Sequence, residues 1–206
     1  MNKIIDDGIR RPGSRDVVED QPSIRFLGLW DVVGSFGVPI NAGPIRFQEI
    51  NFGHKLDVPK DVHHCFHAMA LDERRQTFRV TRLLNTYEVW FRGVHSDVGG
   101  GNGNVALSTI ALRWMLRKAK AAGLPIGDDS LTACDNKVDT QAAIRPSKDL
   151  IPNEHRGLLE EDRYHYTVVE RADHNNPRPE MLLETENDER AAIPVVDLPS
   201  KVAKPL

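Results

Sequence analysis

Trp90-Phe91-Arg92-Gly93-Val94-His95-Ser96-Asp97-Val98-Gly99-Gly100-Gly101 is the stretch on which the rest of the chain is read. Tyr87, Val89, Trp90, Phe91 and Val94 make residues 87–94 strand-like. The strand ends at His95, and a glycine-rich turn follows. A histidine at a strand end that opens onto a flexible turn is where an α/β enzyme can hold a general base. Upstream, Ile24-Arg25-Phe26-Leu27-Gly28-Leu29-Trp30 is a short apolar run that suits a strand buried on both faces, and it ends at Asp31.

Between the two runs, the spacing predicts a helix over 61–75. Asp61 is its N-cap, and Val62, Cys65, Phe66 and Met69 fall at i, i+3, i+4 and i+7. Asp72, Glu73, Arg74 and Arg75 then form a solvated, salt-bridged end, with Asp72 a candidate for holding the loop near His95. A second helix is predicted over 105–122, capped by Asn104. Leu107, Ile110, Ala111 and Trp114 are its buried stripe, Arg117, Lys118 and Lys120 lie near its C-terminus, and Gly123 and Pro125 stop it.

The order strand–Asp–helix–strand–His–helix is a βαβ unit with a trailing helix, its two strands parallel and joined by a right-handed crossover. Two parallel strands cannot cover both faces of a sheet. Their neighbours are expected from a missing N-terminal half, a partner chain or a second copy. Residues 1–22 read as a polar lead-in broken by Pro12, Gly13 and Pro22, and residues 22–125 as the domain proper. Residues 126–172 are an appended segment of unassigned structure, in which 164–169 is a further strand or a packed extended stretch. Residues 173–206, rich in proline and charge, read as an irregular, extended tail.

Composition narrows the function classes. The chain has 206 residues, enough for one domain, with 40% hydrophobic and 28% charged residues and a net charge of −3. Without a long basic run in the sequence, nucleic acid is not the expected main partner. Cys65 and Cys134 have no metal-type spacing and make no disulfide framework, which fits synthesis in a reducing cytoplasm. No apolar stretch reaches the ~18 residues of a transmembrane segment. Met1-Asn2-Lys3-Ile4-Ile5-Asp6-Asp7 is too polar for a signal peptide, which leaves export by a specialised secretion machine open.

In α/β-hydrolases the triad runs Ser, Asp or Glu, then His along the chain. Asp31 and His95 occupy the last two of those positions, the acid orienting the imidazole and stabilising its cationic form. Spacing alone leaves the bland reading standing beside this one, because Asp often caps a strand exit and His often ends a strand. Phe26-Leu27-Gly28-Leu29-Trp30-Asp31-Val32-Val33-Gly34 resembles the "GxWDTVG" block of a bacterial and fungal α/β-hydrolase family first catalogued as a domain of unknown function. That family includes the type VI secretion lipase effectors. His67-Ala68-Met69-Ala70-Leu71-Asp72-Glu73-Arg74-Arg75, followed by Phe78, resembles its "HALALDERRxxF" block. The stretch from Trp90 to Gly101 resembles its "WFPGVHSDVGGG" block.

The resemblance covers about residues 22–125. It implies a partial α/β-hydrolase fold, the last parallel strands and helices of a doubly wound sheet. It implies Asp31 as triad acid and His95 as triad base, phospholipid acyl esters as substrate, no metal or organic cofactor, and type VI delivery. The family's nucleophile block, similar to "GFSRGA", belongs upstream of the Trp-Asp block and is absent, and no Gly-x-Ser-x-Gly turn occurs anywhere in the sequence. The chain is therefore expected to be a C-terminal fragment, inactive alone, that needs a complementary N-terminal fragment or partner chain. Position 33 is Val where the family usually has Thr.

Other candidates are weaker. Ser35 lies in a near miss for the nucleophile turn and after the acid. Ser96 adjoins His95 but is expected to point away and bond local backbone. His63 and His67, spaced i, i+4, could bind zinc on a helix, and with His95 and Asp97 they define a metal-dependent hydrolase alternative. Asp97 and the glycines of 99–103 could turn backbone amides toward an anion, or simply let the chain reverse. Tyr164, His165 and Tyr166 carry no evident chemistry. The competing function is a non-catalytic remnant or interaction module that completes its sheet with a partner.

Overall fold

The computed structural model describes residues 23–34, 58–144, 155–171 and 182–184. They form a five-stranded, all-parallel sheet in the order β1-β2-β3-β4-β5. The strands are β1 (Ile24–Trp30), β2 (Val62–Ala70), β3 (Tyr87–Phe91), β4 (Arg163–His165) and β5 (Leu182–Glu184). Between β3 and β4 lie the helices α1 (His95–Gly99), α2 (Val105–Ala121) and α3 (Asp128–Asp135).

The strands β1 and β3 and the helix α2 stand where the sequence predicts them. The helix expected over 61–75 does not exist. Val62–Ala70 is a central strand, with Leu29 opposite His67 on one side and Ala70 opposite Phe91 on the other. Residues 65–70 are all buried. A fully buried run has no outward face, so its apolar positions satisfy a helical period and a strand equally well. Pairing on both edges decides between them, against the helix propensity of Ala and Met. One neighbour of β1 and both neighbours of β3 thus come from this chain itself.

Side chains alternate between two cores. Phe66, Ala68 and Ala70 from β2, with Tyr87, Val89 and Phe91 from β3, pack against Leu107, Ile110, Ala111, Trp114 and Met115 of α2. Each of the larger aliphatic and Phe side chains among them contributes roughly 1.5–3 kcal/mol when fully buried. On this face Gly28 lets α2 approach β1, since a Cβ there would meet the Met115 sulfur at 2.9 Å. The opposite face holds Met69, Trp90, Tyr164 and Val168, with Leu27, Leu29 and Cys65 nearer the β1 edge.

The strand expected over 164–169 is shorter, ending at His165, and a 3-10 turn over Tyr166–Val168 follows. The strand β5 lies inside the stretch expected as tail. Its Glu184 is buried and accepts from Tyr87 Oη (2.6 Å) and Trp114 Nε1 (3.3 Å), and it pairs with Lys118 of α2. The lead-in over 1–22 and Ser35 fall outside the described residues. No described helix is long and apolar enough to cross a membrane.

A buried polar chain ties β2, β3 and the approach to β4. Glu88 accepts from the Leu83 amide (2.9 Å) and Arg82 Nε (2.7 Å) and faces His67 Nδ1 at 3.4 Å. Arg82 reaches on to Asp162. The Val32 amide donates to His67 Nε2 (3.0 Å), so the ring proton sits on Nδ1, toward Glu88. Burial pushes the Glu88 carboxyl up, but the His67 bond, the Arg82 charge and the Leu83 amide outweigh it and bring it down from 4.5 to about 2.

A depressed carboxyl stabilises the fold above its unfolded pKa and ceases to do so as pH falls through its folded one. Glu88 therefore contributes on the order of 3 kcal/mol at neutral pH, lost between pH 4.5 and about 2. In urea unfolding, Glu88→Gln should be less stable than the parent at pH 7 by a similar amount. The gap should close across that acid range, and a gap independent of pH would contradict the assignment.

Candidate functional site

The C-terminal ends of β1, β2 and β3 converge at one rim of the sheet, where open parallel sheets place their sites. Asp31 leaves β1 with φ +40°, a conformation that Asp tolerates better than most residues. Its amide donates to the Ala68 carbonyl (2.7 Å), and its Oδ1 accepts from the Ala70 amide (2.9 Å). The carboxylate thereby caps the end of β2 and is turned toward the end of β3.

His95 meets it there. Nδ1 of His95 lies 2.8 Å from Asp31 Oδ2. The imidazole packs beside the Phe78 ring, 4.9 Å between centroids, and keeps 30% of its side chain exposed, whereas Asp31 is fully buried. Among the described residues, Nε2 of His95 has no hydrogen-bond partner. The ring is thus anchored through one nitrogen and open at the other.

The residues after β2 build the cradle for this histidine. Asp72 accepts from the Gly93 amide (2.7 Å) and from Arg92 Nε (2.8 Å) and Nη2 (3.1 Å). Glu73 accepts from the His95 amide (3.2 Å), from the Arg74 and Arg75 amides, and from the Arg75 guanidinium. Burial raises the Glu73 carboxyl, and the Arg75 bonds and the His95 amide more than offset it, so it sits below the ordinary carboxylate range. The expected helix end is therefore a salt-bridged, non-helical support in which Glu73 is buried and Arg74 exposed. Asp72 does hold the loop near His95, and Glu73 does so more directly.

Asp97 accepts from the Val94 amide (3.1 Å), Asn102 Nδ2 (2.6 Å) and Asn104 Nδ2 (2.9 Å). It ties off the glycine loop, and Asn104 spends its side chain there and on the Ala143 carbonyl instead of capping α2. Gly93, at φ +122°, is required: a Cβ would sit 2.5 Å from that of Asp97. Ser96 lies in α1 rather than on an extended segment, and among the described residues its side chain makes no hydrogen bond.

The zinc geometry considered for His63 and His67 needed a helix. On a strand these residues stand about 13 Å apart, with His63 exposed and His67 buried against Val32 and Glu88. Among the described residues, no three His, Cys, Asp or Glu side chains are grouped to hold a metal ion. His165 is buried against Phe91, its ring bonded to Thr167 (2.8 Å), and burial pulls it down to about 3. It is a neutral core residue.

Arg156 is the residue that sequence reasoning missed. Its Nη1 and Nη2 donate to Asp31 Oδ1 (3.0 Å) and Oδ2 (2.9 Å), and Nη2 also reaches the Phe78 carbonyl (2.9 Å). Burial pushes the Asp31 carboxyl up, but the His95 bond, the Arg156 charge and the Ala70 amide together hold it below its ordinary value. Arg156 lies 125 residues from Asp31, in a stretch without periodicity, and no local signal marks it.

A family model described as "T6SS, Phospholipase effector Tle1-like, catalytic domain" matches residues 6–118, more than half of the chain. The chain belongs to that family of type VI secretion phospholipase effector catalytic domains. Asp31 and His95 lie inside the matched stretch, and Arg156 lies outside it. No curated protein and no solved structure matches the chain.

Removing one partner of a buried ion pair typically costs about 3 kcal/mol or more, because the other charge stays buried and uncompensated. Arg156→Gln should lose roughly that much in urea unfolding at pH 7. Because the Asp31 carboxyl is depressed, the difference should be full above its unfolded value of 3.8 and shrink as pH falls below it. A variant as stable as the parent at neutral pH would show that Arg156 does not clamp Asp31.

Proposed function

Starting from that membership, we propose that Asp31 and His95 are the acid and the base of a serine-type ester hydrolase acting on phospholipid acyl esters. The observation that carries this is the 2.8 Å bond from His95 Nδ1 to a buried carboxylate, with Nε2 directed away from it. Such a pair fixes the tautomer in which Nε2 can take a proton from a hydroxyl and return it to a leaving group. The depressed Asp31 suits the role, since it remains ionised while the imidazole becomes cationic.

The nucleophile is the missing part. No Gly-x-Ser-x-Gly turn occurs in these 206 residues, and the oxyanion hole depends partly on the amide after that serine. We place both in a polypeptide segment supplied from outside this sequence, as a complementary fragment or partner chain. The strand β1 supports this: among the described residues it pairs on one side only, with β2. Its residues are half-buried or exposed, whereas β2 and β3 are nearly all buried. An open edge on a parallel sheet calls for a further strand. The same edge also favours a second reading, a non-catalytic module that docks by sheet completion. On the first reading the product is made in the cytoplasm and delivered by the type VI machinery.

The purified chain alone should not hydrolyse a chromogenic short-chain ester. Mixed or co-expressed with a family segment that carries the strand–serine turn–helix unit, it should release fatty acid from phospholipid vesicles. Asp31→Asn should reduce that rate about 10⁴-fold, and His95→Ala by a comparable factor. Assembly without turnover would select the docking module. Esterase activity of the lone chain that His95→Ala abolishes would refute the need for an outside nucleophile.

A further inference from the structure

Beside the Asp31–His95 pair lies a cavity of about 310 Å³ whose wall carries five arginines, Arg74, Arg75, Arg79, Arg82 and Arg156, together with His155. Among the described residues, Glu73 is the only carboxylate on that wall. We propose that this cavity binds a phosphoryl anion: the phosphodiester of a glycerophospholipid headgroup, or free phosphate.

Three of the guanidiniums are held from behind by buried carboxylates. Glu73 takes Arg75 through Nε (3.0 Å) and Nη2 (2.9 Å), Glu88 and Asp162 take Arg82, and Asp31 takes Arg156. Arg75 is further fixed over the Phe78 ring, 3.6 Å from its centroid. These side chains are ordered before any ligand arrives, so binding costs them little conformational entropy. Each guanidinium has five N–H donors; carboxylates take two from Arg75 and three from Arg82, while Asp31 and the Glu73 and Phe78 carbonyls take four from Arg156. Arg74 is exposed, and its side chain has no hydrogen-bond or ionic partner among the described residues.

The shape of the charge selects the ligand. A planar carboxylate offers two oxygens, which one guanidinium fork already satisfies. A tetrahedral phosphoryl group offers oxygens in several directions and can meet guanidiniums from several parts of a wall at once. The volume falls at the lower end of small-molecule sites, which suits a headgroup rather than a whole lipid.

Position ties this site to the pair. Arg156 lines the cavity and holds Asp31, and Arg75 lines it and holds Glu73, which in turn receives the His95 amide. A phosphoryl group seated there would fix an attached ester near His95. The choice of headgroup over free phosphate rests on the ester-hydrolase proposal, but the anion site itself does not.

The test is calorimetric titration of the purified chain with inorganic phosphate and, separately, with glycerophosphocholine, against acetate at matched ionic strength. Both phosphoryl probes should bind saturably and more tightly than acetate. Arg74→Gln, at an exposed position that leaves the fold intact, should weaken them about tenfold, the effect of losing one charge-assisted contact. Arg79→Gln, also exposed, is the second variant. Tighter binding of glycerophosphocholine identifies a headgroup site, and tighter binding of inorganic phosphate a free-phosphate site. Acetate binding as tightly as either, or affinity unchanged in both variants, overturns the proposal. His95→Ala should leave phosphoryl affinity intact, so failure of the hydrolase reading and failure of this one are read separately.

Discussion

The carboxylate of Asp31 is the point on which this end of the molecule depends. It is fully buried, yet it accepts from the Ala70 amide, faces His95 and receives both terminal nitrogens of Arg156. A buried charge is tolerated only when paired and hydrogen-bonded. Here the partners come from β2, from the first residue of α1, and from the stretch before β4. Satisfying one charge therefore fixes how three separate parts of the chain meet. The unusual backbone at Asp31 follows from that demand, since only a turned residue can reach over the end of β2.

The same logic explains why the polar support is so dense. Asp72, Glu73, Asp97 and Glu88 each take at least one backbone amide as well as a side chain. Between β2 and β3 the chain has only a short 3-10 turn, Gln76–Phe78, and no regular helix to satisfy its backbone. Acidic side chains do that work instead, and in doing so they set the height and direction of the His95 backbone. The aromatic ring of Phe78 completes the seat on the apolar side.

Legibility in the sequence followed the range of each interaction. The strands β1 and β3 are bounded by turn residues and carry their own signature, and α2 has a clean stripe and a stop, so all three were readable. The strand β2 was not, because residues 65–70 are buried on every side and their apolar spacing fits two periods. Its identity is decided by two neighbours, one of them distant in sequence. The Asp–His pair was legible because Asp31 follows directly on β1 and His95 lies just beyond the β3 run, at the start of α1, and because three sequence blocks resemble the family's. Arg156 and Glu184 were invisible for the opposite reason. Each is a lone polar residue in a stretch of no periodicity, and its meaning lies in partners far away along the chain, such as Tyr87 for Glu184 and Asp31 for Arg156.

Arg156 also bears on what Asp31 can do for His95. A guanidinium bonded to both carboxylate oxygens shares with the imidazole the oxygen that His95 faces. Under the proposed mechanism this looks like a loss. It is set against two gains. The carboxylate stays ionised although it is buried, and its plane is held so that one oxygen faces Nδ1. Orientation of the imidazole and selection of its tautomer are the larger part of what a triad acid supplies. An acid pinned by an arginine therefore keeps both its charge and its geometry. Because that arginine also walls the cavity, a change in its surroundings reaches His95 through one shared side chain and two hydrogen bonds.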